Sequence, residues 1–125
     1  MRGFFRQYGG TYSGLLAYVI QRLTGVALLA YLLLHVHTIW MLSQGPAAFN
    51  QALSQFANPL FRLLEIGLLG VVILHALNGI RITLLDMGVG LRRQRQYFWY
   101  GVVGVGALVF LAGAIPIFLA SILRA

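Results

Sequence analysis

Three histidines are the residues of this chain best suited to chemistry, and all three lie in long apolar stretches. His35 and His37 interrupt LLLHVHTIWML at positions 32–42, and His75 lies in ILHALNGIRITLLD at positions 73–86. Ionisable side chains are rare in membrane-spanning helices and are functional candidates where they occur. Neutral imidazole is an iron ligand, and a haem held between two helices takes one histidine from each. A lone buried histidine can also be satisfied by a neighbouring hydroxyl or carbonyl group, so the pattern is compatible with both roles.

The two histidines of the first stretch point in different directions. Two residues correspond to about 200° around a helix, so His35 and His37 cannot both face one partner. His35 has nearly the same azimuth as Gln21 and Thr24, which form the polar stripe of this stretch, and it is predicted to face the helix bundle. His37 is predicted to make a secondary polar contact nearer the outer end.

His35 and His75 are also predicted to lie at different depths. At about 1.5 Å per residue, His35 is roughly 20 Å from the membrane face marked by Arg22, and His75 is roughly 9 Å from the same face, marked by Arg81. The chain therefore provides either one ligand to each of two haems or a single ligand, and the missing ligands must come from another subunit. Gly79, four residues after His75 on the same helix face, would leave room for a flat porphyrin.

The elements that would position these residues are membrane-spanning helices. The chain has 125 residues, of which 60% are hydrophobic and 9% are charged, whereas about one-quarter of the residues of soluble domains are charged. Apolar stretches at about 14–42, 60–85 and 97–123 each exceed the ~20 residues that cross a bilayer. The sequence predicts one all-α integral membrane domain over residues 1–125, with three transmembrane helices.

The connections between these helices are marked by glycine and proline. The first loop has a Gly-Pro pair at 45–46 and an Asn-Pro pair at 58–59, with room between them for a short interfacial helix. Gly88 and Gly90 are predicted to end the second helix. The third span contains no ionisable group and is predicted to serve packing. Its close helix contacts are predicted at Gly101, Gly104, Gly106 and Gly113.

The distribution of charge predicts the orientation. All nine cationic residues are arginines, against one Glu and one Asp, which gives a net charge of +7. One side of the membrane would carry Arg2, Arg6, Arg22, Arg92, Arg93 and Arg95. The opposite side would carry only Arg62 and Arg124. By the positive-inside rule, the N-terminus lies in the cytoplasm.

Composition also excludes several kinds of site and partner. Cysteine is absent, which removes disulfides, iron–sulfur clusters ligated by this chain and covalently attached haem. The arginines form no stripe suited to nucleic acid, and they fit membrane lipid or an acidic partner subunit better. No carboxylate lies in the middle of a span, which argues against a proton-coupled carrier.

Two stretches resemble the cytochrome b membrane anchor subunit of succinate dehydrogenase (succinate:quinone oxidoreductase) and fumarate reductase. They are QRLTGVALLAYLLLHVH at 21–37 and ILHALNGIRITLLDMG at 73–88. Five residues of the second stretch are in register with the family motif H-x-x-x-G-I-R-x-x-x-x-D: His75, Gly79, Ile80, Arg81 and Asp86. The first stretch resembles the branch of this family that is associated with two b haems and often with menaquinone.

The resemblance implies axial haem ligands and a partner that completes the bundle. His75 matches the haem ligand of the second helix, and His35 matches the first-helix ligand of the two-haem branch. This chain would then be half of a heterodimeric haem-binding helical bundle, in which a second membrane anchor subunit supplies further histidines. Either one or two haem b groups, shared with that subunit, fit the sequence.

The resemblance also implies a quinone site. Candidates for binding quinone or a haem propionate are Tyr18, Gln21, Arg22, Thr24 and Arg81. Tyr18 stands where single-haem relatives have a serine, and Gln21 stands where they usually have a histidine. Asp86 matches an acidic residue at the cytoplasmic end of the second helix and would relay protons to the quinone.

The expected assembly is a multi-pass complex of the inner (cytoplasmic) membrane of a prokaryote. In succinate oxidation, electrons would pass from an FAD flavoprotein subunit through an iron–sulfur subunit to this anchor and then to quinone, so that catalysis belongs to the complex. Fumarate reduction, in the opposite direction, uses the same architecture and is equally compatible with the sequence. Single complexes and trimers of complexes are both compatible with the sequence. Three alternatives remain at this stage: a haem-free structural anchor, a cytochrome b subunit of another quinone-linked dehydrogenase, and a small channel or exporter.

Overall fold

The computed structural model describes residues 12–123 and is helical in every main element. Its principal helices are α1 (Tyr12–Trp40), α2 (Pro46–Ser54), α3 (Pro59–Asp86) and α4 (Gly106–Leu123). The candidate spans, judged by length and apolar composition, are Gly14–Gln44, Pro59–Asp86 and Leu91–Leu123. This confirms the predicted all-α fold with three membrane-spanning helices. Arg2, Arg6 and Arg124, used above to predict orientation, lie outside the described residues.

The predicted breaks of the first loop are confirmed. Gly45 has a φ of 107° and precedes Pro46, the first residue of α2. Asn58 caps α3, because its side-chain oxygen accepts a hydrogen bond from the Phe61 N–H at 3.0 Å, and Pro59 occupies the first helical turn. The segment between these breaks is the short helix α2, as the sequence predicts.

The second loop is a tight glycine turn that ends α3. Gly88 and Gly90 have φ values of 81° and 75°, a backbone conformation that side chains with a Cβ rarely adopt. At Gly90 an added Cβ would also overlap the ring of Tyr97. The turn therefore brings the start of the third span back against the end of α3.

The third span begins with a π-helical segment that the apolar pattern did not predict. Tyr97–Val105 is π-helical, and α4 follows it directly. Such segments are rare and frequently lie at functional sites. The first half of the third span therefore has a wider backbone than the packing helix that the sequence predicts.

α3 lies between α1 and the third span, and the tightest packing is at one end of the bundle. Phe98 and Val102 of the π-helical segment are fully buried and cluster with Ala17 of α1. The loop at this end carries Arg92, Arg93 and Arg95, so we call it the arginine-rich end. The start of α1, the end of α3 and the start of the third span all meet there.

Glycines of the third span differ in what they face. An added Cβ on Gly106 would lie 3.4 Å from Leu77, and one on Gly113 would lie 2.7 Å from Leu69. These two positions confirm the predicted close contacts with α3. Gly101 and Gly104 make no such contact among the described residues: a Cβ on Gly101 would meet nothing within 4 Å, and one on Gly104 would meet the carbonyl oxygen of Trp99, in the same π-helical segment, at 3.4 Å.

The outer half of α1 stands away from the other two described spans. Residues 29–37 are all exposed, on every face of the helix. Leu33 is 66% exposed and Val36 is 58% exposed. Apolar surface of this extent has to be covered by lipid or by helices of another subunit.

Candidate functional site

The candidate site lies where α1 crosses α3, at the hydrogen bond between Thr24 and His75. Thr24 Oγ1 is 2.9 Å from His75 Nδ1 and 2.6 Å from the carbonyl oxygen of Ile20. A hydroxyl has one proton, and a carbonyl oxygen can only accept. With the Thr24 proton donated to Ile20, the Thr24 oxygen accepts a hydrogen bond from His75 Nδ1–H. The proton on Nδ1 leaves the Nε2 lone pair of His75 bare, which is the form that binds a metal ion.

The surroundings of His75 leave that nitrogen available. Among the described residues, Nε2 of His75 makes no hydrogen bond. The ring is partly exposed and lies beside Gly25 of α1, where an added Cβ would be 3.5 Å from His75 Cε1. The ring is therefore held at one nitrogen and accessible at the other.

A second polar contact, which the sequence analysis missed, lies one turn further along α3. Asn78 is 0% exposed, and its Nδ2 donates to the carbonyl oxygen of Ala17 at 2.8 Å and to Gln21 Oε1 at 3.1 Å. Its Oδ1 has no hydrogen-bond partner in the described part of the chain. The available signal was an amide in an apolar run three residues after His75. Asn78 therefore fixes α3 to α1 and keeps one acceptor free for a water or ligand.

The face of α3 at Gly79 packs against α1 and is not open to a porphyrin. An added Cβ on Gly79 would lie 3.5 Å from Gln21 Nε2, so the space beside this glycine faces α1. The residue had been expected to leave room for a porphyrin. In the structure it allows the close approach of α1 to α3 that the Asn78 hydrogen bonds require.

The other candidate residues of α1 lie on two different faces of the helix. Gln21 and Thr24 face α3, whereas Arg22 is exposed. The guanidinium of Arg22 lies 5.2 Å from the ring centroid of Tyr18, one turn earlier. The structure thus keeps Tyr18 and Arg22 together but directs them away from the contact with His75.

Arg81 is directed to the third span. Only 8% of its surface is exposed, its Nε and Nη2 lie 3.4 and 3.5 Å from the carbonyl oxygen of Gln94, and its guanidinium lies 5.6 Å from the Phe98 ring centroid. Six residues separate it from His75, which corresponds to about 120° around α3. The structure therefore does not bring Arg81 together with His75.

His35 faces no other helix among residues 12–123. It is exposed, and its Nδ1 lies 3.3 Å from the hydroxyl of Tyr31, whose ring stacks on it at 5.4 Å. His37 is also exposed and lies 6.0 Å from the Trp40 ring. Because α1 diverges from α3 before reaching His35, no described helix packs against it, and the expectation that His35 faces a bundle completed by another subunit stays a prediction. Eleven residues beyond Thr24, His35 lies about 16 Å from the level of His75.

The remaining candidate, Asp86, is the last residue of α3 and lies exposed at the arginine-rich end. Within residues 12–123 no three His, Cys, Asp or Glu side chains are grouped as a metal site would require. A metal centre that used His35 or His75 would therefore take its other ligands from another molecule.

Comparisons with known proteins agree with this architecture. The family model for the succinate dehydrogenase/fumarate reductase transmembrane subunit matches residues 5–114. The chain is 38% identical to the succinate dehydrogenase hydrophobic membrane anchor subunit of Halobacterium salinarum, over 86% of this chain and 82% of that protein. It is 36% identical to the succinate dehydrogenase 2 membrane subunit SdhC of Mycobacterium tuberculosis, over 82% and 73% respectively. This multi-pass membrane protein belongs to the family of succinate dehydrogenase and fumarate reductase transmembrane subunits.

Proposed function

We propose that this chain binds haem b and carries electrons from an iron–sulfur subunit to membrane quinone, as a membrane anchor of succinate dehydrogenase. The observation that carries this proposal is the hydrogen bond between Thr24 and His75. With the Thr24 proton donated to the Ile20 carbonyl oxygen, this bond holds the imidazole at Nδ1–H, in the tautomer that an iron ligand needs. In a histidine that binds a metal, the N–H of the second ring nitrogen usually donates a hydrogen bond in this way. That bond fixes the orientation of the ring and raises the basicity of the nitrogen that binds the metal.

His35 repeats part of this arrangement at a second level. Its Nδ1 also lies beside a hydroxyl, that of Tyr31. The separation of about 16 Å along the bundle is too large for one haem to use both His35 and His75 as axial ligands. We therefore assign one haem b to each histidine. A bound haem supplies a reversible one-electron carrier, and the two levels would provide a path across the membrane.

The second ligand of each haem would come from a partner anchor subunit. In the part of the chain that the structure describes, no helix faces His35, and the nine exposed residues 29–37 provide a surface for such a partner. A three-helix partner placed against α1 would cover the apolar surface and bring its own histidines to both levels. The chain would then be one half of a heterodimeric haem-binding bundle.

Quinone would react at the arginine-rich end, which we place at the cytoplasmic face of a prokaryotic inner membrane. The FAD and iron–sulfur subunits would dock on this basic surface. Arg22, exposed next to Tyr18, is suited to donate hydrogen bonds to a haem propionate or a quinone carbonyl oxygen, and menaquinone is our proposed substrate. Reduction of a quinone consumes two protons, and Asp86 is exposed at this end to relay them.

Haem content tests the proposal directly. A pyridine haemochrome and a reduced-minus-oxidised spectrum of the purified complex should give two b haems per copy of this chain. His75→Ala should remove one haem and His35→Ala the other, while His37→Ala, on the opposite side of α1, should remove neither. One haem in the native complex would leave His75 as the only ligand from this chain. A complex without haem would establish the structural-anchor alternative.

A further inference from the structure

A groove at the arginine-rich end, between α3 and the third span, is lined by neither His75 nor the Tyr18–Arg22 pair, to which the haem and quinone roles are assigned above. Its volume is about 460 Å³. The π-helical segment forms one wall, and Gly101, which has open space in place of a side chain, lies in that wall. The wider backbone and the missing side chain together account for the opening.

The groove combines two cations without a carboxylate. Arg81 and Arg93 both line it, and among residues 12–123 no Asp or Glu does. Arg81 is largely buried, and the polar contacts of its guanidinium in the described residues are to one carbonyl oxygen. In the described part of the chain the one ion pair is Arg62–Glu65. A buried cation without an acidic partner is costly, so an anion from outside the chain would stabilise Arg81.

The other end of the groove is apolar and extends along the helices. On α3 it runs from Leu84 to Leu77, a distance of about 10 Å along the helix axis. Val105 lines the facing wall at the same end. Tyr100, which is 77% exposed, stands on the polar half, where tyrosines commonly mark the level of lipid headgroups. The occupant must therefore have a negative charge at one end and an apolar chain at the other.

We propose that this groove binds an anionic glycerophospholipid, with its phosphate between Arg81 and Arg93 and an acyl chain between Leu77 and Val105. A quinone lacks the charge, and a haem on His75 lies about 120° away around α3. Phosphate alone would leave the apolar half unused. Lipids of the cytoplasmic leaflet are often anionic, which fits the orientation predicted from the arginines. The inference does not depend on haem binding.

The test is native mass spectrometry of the purified, intact complex, with the lipid headgroups identified. The native complex should retain an anionic phospholipid, and Arg93→Gln should bind phosphatidylglycerol about fivefold more weakly after delipidation, as expected for one lost arginine. Arg92→Gln is the matched control, because Arg92 is exposed in the same loop but does not line the groove. Gly101→Leu should also release the lipid, since it fills the groove without changing its charge.

Three results would overturn the proposal. Phosphatidylcholine could bind as tightly as phosphatidylglycerol, which would remove the role of charge. Arg92→Gln could weaken binding as much as Arg93→Gln, which would indicate a diffuse basic surface. Inorganic phosphate could displace the lipid, or Arg93→Gln could release another subunit instead of a lipid, and either outcome would identify a different anion. Because haem content is measured separately, failure here is distinguishable from failure of the haem proposal.

Discussion

The hydrogen bond between Thr24 and His75 leads to the sharpest prediction, for the substitution Thr24→Val. Valine has nearly the shape of threonine but cannot accept the proton of His75 Nδ1, which lies 2.9 Å from the hydroxyl. The loss of the contact with the Ile20 carbonyl costs little, because that oxygen also accepts the helical hydrogen bond of residue 24. The main effect is that the Nδ1–H of His75, between two helices, has no acceptor. This costs about 1–3 kcal/mol of stability.

The imidazole can avoid this cost by moving its proton to Nε2, and that removes the lone pair needed by iron. Substitutions of such supporting residues weaken metal binding by about 10–100-fold. We therefore expect Thr24→Val to bind the His75 haem about 10–100-fold more weakly. The midpoint potential of any haem that remains should shift, because the histidine is less basic without its partner. The other haem should be unaffected, since His35 lies on a different level.

The assay is a haemin titration of the haem-depleted complex, followed by a redox titration of the reconstituted b haems. Thr24→Ser is the matched control, because serine keeps the hydroxyl and should restore both affinity and potential. Full haem content with an unchanged potential in Thr24→Val would refute the argument that this hydroxyl sets the tautomer. Equal losses in Thr24→Ser and Thr24→Val would attribute the effect to packing.

Three further predictions concern the relay, the helix contact and the turn. Asp86→Asn should slow quinone reduction by about 100-fold while succinate still reduces the b haems at the native rate, and equal slowing of both steps would remove Asp86 from proton delivery. Asn78→Ala should destabilise the complex by about 1–3 kcal/mol, because Gln21 loses its partner, and an unchanged thermal unfolding midpoint in detergent would contradict this. Gly90→Ala should lower the same midpoint more than Gly88→Ala: both glycines have positive φ, but only at Gly90 would the Cβ overlap the Tyr97 ring. Equal effects would show that backbone strain alone matters.

The spans and their boundaries follow from local properties of the chain. Length and apolar content identify the helices, since each stretch must satisfy its own backbone hydrogen bonds in lipid. The loop residues act through their own backbone preferences: Asn58 caps α3, and Gly88 and Gly90 adopt the positive φ of a tight turn. Neither property requires a neighbouring helix, which is why the sequence predicts them correctly.

The site was predictable only in its residue types. His75 and Thr24 were both named from the sequence, but they lie 51 residues apart, and their hydrogen bond depends on where α1 crosses α3. Asn78 was missed because a single amide in an apolar run has no significance until a carbonyl oxygen and a glutamine lie opposite it. The π-helical segment was missed because every face of the third span is apolar. The order of apolar and polar residues therefore does not show the number of residues per helical turn.

Residue chemistry and helix periodicity are therefore sufficient for the membrane fold and for most of the polar candidates, Asn78 being the exception. Helix packing decides which candidates meet. It directs Arg81 to the third span, joins His75 to Thr24, and leaves His35 exposed where α1 diverges. In a chain whose helices are apolar on all sides, the hydrophobic pattern does not specify which faces pack together. That choice rests on a few small residues and polar contacts, and these act only once the helices are in place.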